Sequence, residues 1–156
     1  MGVTVGVNGR SVIHKSSGGV TICFPDVCKT PIGPAIVPIP YPNIAKSGDT
    51  AKGTKTIKCD GNPVCVKTSN FSTSTGDEPG VAKGVASSKI KGIAEFVGYS
   101  FDTKFEGKNV PRAFDLMLHN NKNTPPFPVL QKPIVVIDPT EDPELRELIK
   151  IEWEWV

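Results

Sequence analysis

The sequence predicts a mainly β fold with few, short helices. Glycine and proline each occur 15 times among 156 residues, and both residues break regular helices. Long runs with the 3.6-residue spacing of an amphipathic helix are missing from the sequence. Three short segments in which an acidic or amide residue precedes glycine predict β-hairpins. The chain is long enough for one domain with a buried core.

The three hairpin segments follow one pattern. In each, an alternating strand leads to the turn and a valine follows the turn in register. The segments are VTVGVNGRSV, TIKCDGNPVC and DTKFEGKNVP, with turns at Asn8-Gly9, Asp60-Gly61 and Glu106-Gly107. This repetition predicts one unit used three times around a shared axis. Hairpins of this kind also occur in unrelated β proteins, which is the alternative interpretation.

The segment from Pro25 to Ala45 is rich in proline and lies between the first two hairpins. Each proline removes a backbone donor and pushes the preceding residue toward extended geometry, which excludes a helix and argues against a central sheet strand. Isoleucine and valine alternate with the prolines. This composition favours a rigid, extended strap over a core rather than a disordered proline-rich ligand.

A loop rich in serine, threonine and glycine is predicted from Ser69 to Ala94. Loops of this length are usually functional or ordered by packing. A short helix around Val81 to Ile93 is an alternative that Gly84 and Gly92 weaken, because glycine disfavours helix interiors.

The domain boundary is expected after residue 124. Residues 1–124 form the predicted body, and residues 125–156 form a C-terminal extension with 7 acidic and 3 basic side chains. In the extension we expect a strand over residues 133–138, a helix from Asp142 to about Lys150 and a terminal strand over residues 151–156. So short an extension is not expected to form an independent catalytic domain.

The charge and the amino terminus limit the class of protein. A net charge of +2 predicts no nucleic-acid partner, and no apolar run approaches the ~20 residues of a membrane span. Without an ordinary secretory signal, we expect the chain to be made in the cytoplasm, where cysteines remain thiols or bind metal. Cys59 and Cys65 flank the second turn and could pair, but two free thiols are favoured.

Candidate metal ligands are His14, Cys28 and His119, three residues from distant segments. Neutral imidazole and thiolate are suitable zinc ligands, with distances of ~2.0–2.3 Å from the ion to the ligand atom. Such a site would cross-link a fold with little helix. Cys23, Asp115 or a water could provide the fourth ligand. The alternative is a small hydrolase that pairs Cys28 with one of the two histidines, for which the sequence offers neither an orienting group nor an oxyanion pocket.

Several long motifs occur in an order that resembles the PAAR-like family, in the branch with a Pro-Ile-Pro-Tyr motif. The resemblance spans about residues 4–123. It is carried by NGRSVIHKSSGGVTICFPDVCKTP, VPIPYPNIA, TKTIKCDGNPV, SNFSTSTGDEPG and FEGKNVPRAFDLMLHNN.

The resemblance implies a small β-rich cone that caps the trimeric spike of a contractile injection machine, such as a type VI secretion system. One copy would sit on each trimer, with the three hairpins as a pseudo-threefold base and one metal ion, usually zinc, at the tip. His14 and His119 match the histidine-bearing segments of the family and Cys28 matches its PDVCK segment, whereas Cys23, Cys59 and Cys65 depart from the pattern.

The function expected from this resemblance is that of a structural spike tip without enzymatic activity. The tip would sharpen the spike for membrane puncture, touch the target membrane transiently and recruit effector cargo. It would stay in the cytoplasm until assembled on the apparatus, and would then be delivered out of the cell or into a target cell.

Overall fold

The computed structural model describes residues 3–132, which form a mainly β structure, as the sequence predicts. One turn of 3₁₀ helix covers Ser47–Asp49, and the described part has no helix long and apolar enough to cross a membrane. The strands and helix expected within residues 133–156 lie outside the described residues. The strands are β1 (Gly6–Val7), β2 (Arg10–Ser11), β3 (Val20–Ile32), β4 (Ala35–Lys46), β5 (Thr50–Ala51), β6 (Lys58–Cys59), β7 (Asn62–Pro63), β8 (Asn70–Phe71), β9 (Ala94–Phe96), β10 (Lys104–Phe105), β11 (Lys108–Asn109), β12 (Leu116–Leu118) and β13 (Phe127–Leu130).

Seven strands form one antiparallel sheet in the order β4-β3-β13-β12-β9-β8-β5. Its buried face includes Phe71 and Phe96, whose rings meet edge to face with centroids 5.7 Å apart. Strand β13 lies in the predicted C-terminal extension, but it pairs with β3 and β12 and so belongs to the same sheet as strands of the predicted body. The domain boundary after residue 124 stays a prediction.

The proline-rich segment is extended, as predicted, and forms most of a long hairpin. In the pairing of β3 with β4, Val20 lies opposite Lys46 at one end and Ile32 lies opposite Ala35 at the other. The register is irregular between Cys23 and Asp26. Strand β4 is at the edge of the sheet, where strands can tolerate proline. The end of this hairpin covers no core, because its isoleucines, Ile32 and Ile36, are exposed.

The prolines of β4 recur at every second position, so their missing N–H groups fall on one side of the strand. Ile44 lies two residues after Pro42, so its N–H is on the same side of the strand. This N–H donates away from β3, to the carbonyl of Thr75 at 2.7 Å. The outer edge of β4 is therefore poor in donors over Pro38, Pro40 and Pro42. Such an edge resists pairing with a further strand.

All three predicted hairpins are present as separate two-stranded sheets: β1–β2, β6–β7 and β10–β11. The first turn residue in each has φ between 51° and 53°, and the glycine that follows has φ of 78° or 79°. Positive φ at both central residues is the geometry that favours Asn-Gly and Asp-Gly turns. We call these three sheets with their turns the three-hairpin base.

The segment predicted as a loop from Ser69 to Ala94 contains strand β8 near its start and ends at the first residue of β9; between them the chain is ordered by packing and contains no helix. Its backbone has positive φ at Lys83, Ser88 and Lys91, which is incompatible with a continuous right-handed helix. The alternative of a helix around Val81 to Ile93 is therefore wrong. Backbone hydrogen bonds attach the loop to β3, because Lys29 N–H donates to the carbonyl of Lys83 at 2.8 Å.

Candidate functional sites

Each turn of the three-hairpin base binds the segment that leads into another hairpin. Asp60, in the second turn, accepts hydrogen bonds from the backbone N–H of Thr4, at 3.1 Å, and from its hydroxyl. Glu106, in the third turn, accepts backbone N–H groups from residues 55–57 at 2.9–3.2 Å. These backbone donors lower the pKa of Glu106 to about 2, because they favour its charged form.

The first turn completes the ring. Asn8 donates its side-chain amide to Asp102 at 3.1 Å and accepts a hydrogen bond from the hydroxyl of Ser100. The first turn thus binds the segment that precedes the third hairpin. The third turn binds the segment that precedes the second hairpin, and the second turn binds the segment that precedes the first hairpin. The lead-in residues occupy the same place, four positions before the turn: Thr4, Thr56 and Asp102. A closed cycle of equivalent contacts is the arrangement that the repeated pattern predicts.

Backbone contacts between the segments that follow the turns close a second cycle. Every pair of hairpins shares such a hydrogen bond, with N···O distances of 2.8–2.9 Å: Cys65 to Ile13, Ala113 to Ser11 and Lys67 to Asn109. Three equivalent valines, Val12, Val64 and Val110, are fully buried in one cluster at the centre. The three-hairpin base is therefore one packed, hydrogen-bonded unit.

The structure does not bring the three predicted metal ligands together. His14 accepts a hydrogen bond from Ser16 N–H at Nδ1 and lies 3.3 Å from Asp60 through Nε2, so both ring nitrogens have partners. His119 is buried and contacts the hydroxyl of Thr21 at 3.0 Å. A zinc site of His14, Cys28 and His119 stays a prediction, and these contacts do not fit it.

Cys28 lies instead between two buried carboxylates. Its Sγ is 3.6 Å from Asp26 Oδ1 and 4.0 Å from Asp77 Oδ2. All three residues are fully buried, and one ligand atom from each lies within 4.8 Å of the others. We call Asp26, Cys28 and Asp77 the Asp–Cys–Asp centre; it is the cluster of potential metal ligands found within residues 3–132.

Two buried amides hold the centre in place. Asn123 donates Nδ2 to Asp26 Oδ1 at 2.5 Å, and its Oδ1 accepts the backbone N–H of Ala86 at 2.8 Å. Asn120 donates Nδ2 to the same carboxylate oxygen at 3.3 Å, and its Oδ1 accepts Gly92 N–H at 2.9 Å. Because backbone groups fix both amides, each presents its NH₂ group to Asp26.

The loop glycines allow the backbone to approach the centre closely. A Cβ on Gly80 would lie 2.3 Å from Cys28 Cβ, and a Cβ on Gly84 would lie 2.6 Å from the side chain of Asn123. The glycine content that predicted a loop is therefore needed for packing. These glycines position Asp77, which accepts Lys91 N–H at 3.0 Å.

The electrostatics of the centre oppose negative charge. Burial, followed by the carboxylates of Asp26 and Asp77, raises the pKa of Cys28 to about 12. Burial and the neighbouring Asp26 raise the pKa of Asp77 to about 7. Cys28 is consequently a thiol, which does not fit the rival prediction of a reactive thiolate paired with histidine.

The remaining cysteines are free, buried thiols. Cys59 pairs in register with Asn62 and belongs to the base, whereas Cys65 packs beneath the large sheet. Burial raises the pKa of Cys65 to about 12 and that of Cys23 to about 11. The favoured prediction of two free thiols at Cys59 and Cys65 is confirmed.

Sequence reasoning found Cys28 but missed its two acidic neighbours. Asp26 precedes Cys28 by two positions, and alternate residues of a strand share a face, so the Asp-x-Cys spacing was a usable signal. Asp77 carried no comparable signal, because it reaches Cys28 only after the loop folds back over β3.

Comparison with known proteins supports the resemblance. The model of the toxin PAAR-like domain family matches residues 19–126. A DNase toxin, Tse7, from Pseudomonas aeruginosa strain PAO1 is 46% identical over 140 residues, which cover 82% of this chain and 36% of that toxin. The chain therefore spans about a third of the length of this relative. A search of solved structures found no match.

The expectation of a protein without enzymatic activity is wrong. It rested on a body typical of a structural tip and on a short extension. A relative whose match covers 82% of this chain is a DNase toxin, so proteins with this domain include enzymes. The family match covers more than half of the chain and contains both strands of the proline-rich hairpin. This chain belongs to the toxin PAAR-like domain family.

Proposed function

We propose that this domain docks a toxin effector onto the trimeric spike of a contractile injection system. The observation that carries the proposal is the closed cycle of contacts in the three-hairpin base. A single chain can match a threefold partner only if it presents three similar surfaces, and Asn8, Asp60 and Glu106 join three similar units. Membership of a toxin-associated family supports the effector role.

The proposal also specifies how many copies bind the spike and how the protein is delivered. One copy would bind one spike trimer and would travel with it, from the cytoplasm in which it is made to the target cell. Cargo would be carried on the surfaces that the spike leaves free. The exposed end of the β3–β4 hairpin, with Ile32 and Ile36, is such a surface.

The relative adds an activity to the proposal. We propose that the effector to which this domain belongs cleaves DNA, as the name of the relative states for that protein. Incubating the full-length protein with plasmid DNA and a divalent cation tests this part. Conversion of supercoiled DNA to nicked or linear forms is expected, and intact DNA would overturn the nuclease part without affecting spike docking.

Spike docking is tested by charge reversal on the base. Lys58 and Lys104 are exposed, and each lies three positions before its turn glycine. If the base faces the spike, Lys58→Glu with Lys104→Glu should reduce binding to the trimeric spike protein of the same organism by tenfold or more. Lys29→Glu, on an exposed position of β3 outside the base, is the matched control.

Binding measured by biolayer interferometry separates the outcomes. Loss of binding in the double variant with retention in the control supports docking through the base. Equal binding by the double variant and the control would overturn this placement, and absence of binding by the unmodified protein would overturn the proposal itself.

A further inference from the structure

The Asp–Cys–Asp centre contains two carboxylates without a counter-charge. Asp26 and Asp77 are fully buried, and neither forms an ion pair with a basic side chain within residues 3–132. Burying a carboxylate without compensation is costly, and placing a second one beside it adds repulsion. The pair therefore requires either a shared proton or a bound cation.

One oxygen of the pair is left without a hydrogen bond. The amides of Asn120 and Asn123 both donate to Asp26 Oδ1, whereas Asp26 Oδ2 is buried without a partner among the described residues. Backbone contacts fix both amides, so neither can turn to serve Oδ2. A buried carboxylate oxygen with free lone pairs is a group that a metal cation can use as a ligand.

The ligand types and their separations fit a transition-metal cation. Cys28 Sγ lies 3.6 Å and 4.0 Å from the nearest carboxylate oxygens of Asp26 and Asp77. An ion bound at about 2.0–2.3 Å can bridge ligand atoms at such distances. Calcium and magnesium prefer all-oxygen sites, so the sulfur selects a cation of the zinc class.

We propose that Asp26, Cys28 and Asp77 bind a divalent cation of the zinc class, which ties the glycine-rich loop to strand β3. The cation would supply the positive charge that the two carboxylates lack, and it would displace the thiol proton of Cys28 to solvent on binding. This site differs from the His14, Cys28 and His119 set in two of three ligands. It does not depend on spike docking or nuclease activity.

Cobalt binding by the full-length protein tests the site. After treatment with chelator, one equivalent of Co²⁺ should bind and give a thiolate-to-cobalt charge-transfer band in the near ultraviolet, and Zn²⁺ should abolish the band. Cys28→Ser should remove the band, whereas Cys23→Ser should retain it, because Cys23 is also a buried free thiol but lies outside the centre.

Asp77→Asn separates a metal site from a shared proton. In a metal site, replacing this carboxylate should weaken cobalt affinity by more than about tenfold. In a proton-sharing pair, the new amide could donate to Asp26 and should maintain or raise the unfolding temperature. A stabilised Asp77→Asn variant with unchanged cobalt affinity would overturn the proposal. Unmodified protein that shows no charge-transfer band, and whose unfolding temperature is the same with and without Zn²⁺, would also overturn it.

Discussion

At the scale of single residues, Glu106 links two hairpins through an exposed carboxylate. Three consecutive N–H groups of residues 55–57 donate to its carboxylate, so the charged form is favoured in the folded protein. The folded-state pKa of about 2 lies below the ordinary value of about 4.3. Its stabilising effect is therefore complete above about pH 4.3 and is lost as the pH falls toward 2.

Glu106→Gln should lower the denaturant midpoint at neutral pH, because a neutral amide accepts these N–H groups less strongly. The difference from the unmodified protein should shrink as the pH falls from about 5 to about 2. Urea unfolding followed by circular dichroism measures both effects. Glu95→Gln is the control, because the contact of the Glu95 carboxylate within residues 3–132 is a 4.0 Å ion pair with Lys122. A difference that grows at low pH would contradict this account of Glu106.

Gly80 is the residue at which the loop comes closest to Cys28. Gly80→Ala should destabilise the fold by about 1–3 kcal/mol, because the added Cβ would lie 2.3 Å from Cys28 Cβ and force the two segments apart. Gly48→Ala is the matched control, since a Cβ there would meet no atom of the described residues within 4 Å. Thermal unfolding of the two variants decides the point, and equal stabilities would show that the loop does not pack on Cys28 as described.

At the scale of elements, the three hairpins should contribute equally to the core of the base. Val12, Val64 and Val110 hold equivalent positions and are fully buried. Each change to alanine should cost about 2 kcal/mol, because two buried methyl groups are lost and the site collapses only partly. Val85→Ala, on an exposed residue, should cost little. Chemical denaturation gives the comparison, and one dominant valine would argue against three equivalent units.

The hairpins could be predicted from sequence because their determinants are local. A turn residue and a glycine with positive φ, flanked by alternating residues, specify each hairpin within about ten positions. The contacts between hairpins were not predictable in detail. Asp60 meets Thr4 and Glu106 meets residues 55–57 only when distant segments assemble.

The proline-rich hairpin shows a limit of reasoning from composition. Alternating prolines predicted extended backbone and argued against a central strand. Strand β4 is an edge strand, but β3, which contains Pro25 and Pro31, lies between β4 and β13. The apolar residues Ile32 and Ile36 were expected to cover a core, but they are exposed. Composition sets the backbone geometry of such a segment, whereas its neighbours decide which side chains are buried.

At the scale of the whole molecule, the family and the mainly β fold were predictable from the sequence. Of the three residues of the Asp–Cys–Asp centre, the sequence identified one as a candidate site residue. Cys28 was identified by its chemistry, and its neighbours in the structure are Asp26 and Asp77, whereas a site with His14 and His119 stays a prediction. Histidine can be selected as a candidate metal ligand from its residue type alone. Burial without a counter-charge is a property of the folded state and has no signature in composition.

We propose that one copy of this chain binds a trimeric spike through its three-hairpin base. Native mass spectrometry of the full-length protein mixed with the trimeric spike protein of the same organism measures this stoichiometry. We expect a complex with the mass of three spike chains and one copy of this protein, even when this protein is in excess. A complex with three copies per trimer, or a spike trimer that remains unbound, would contradict it.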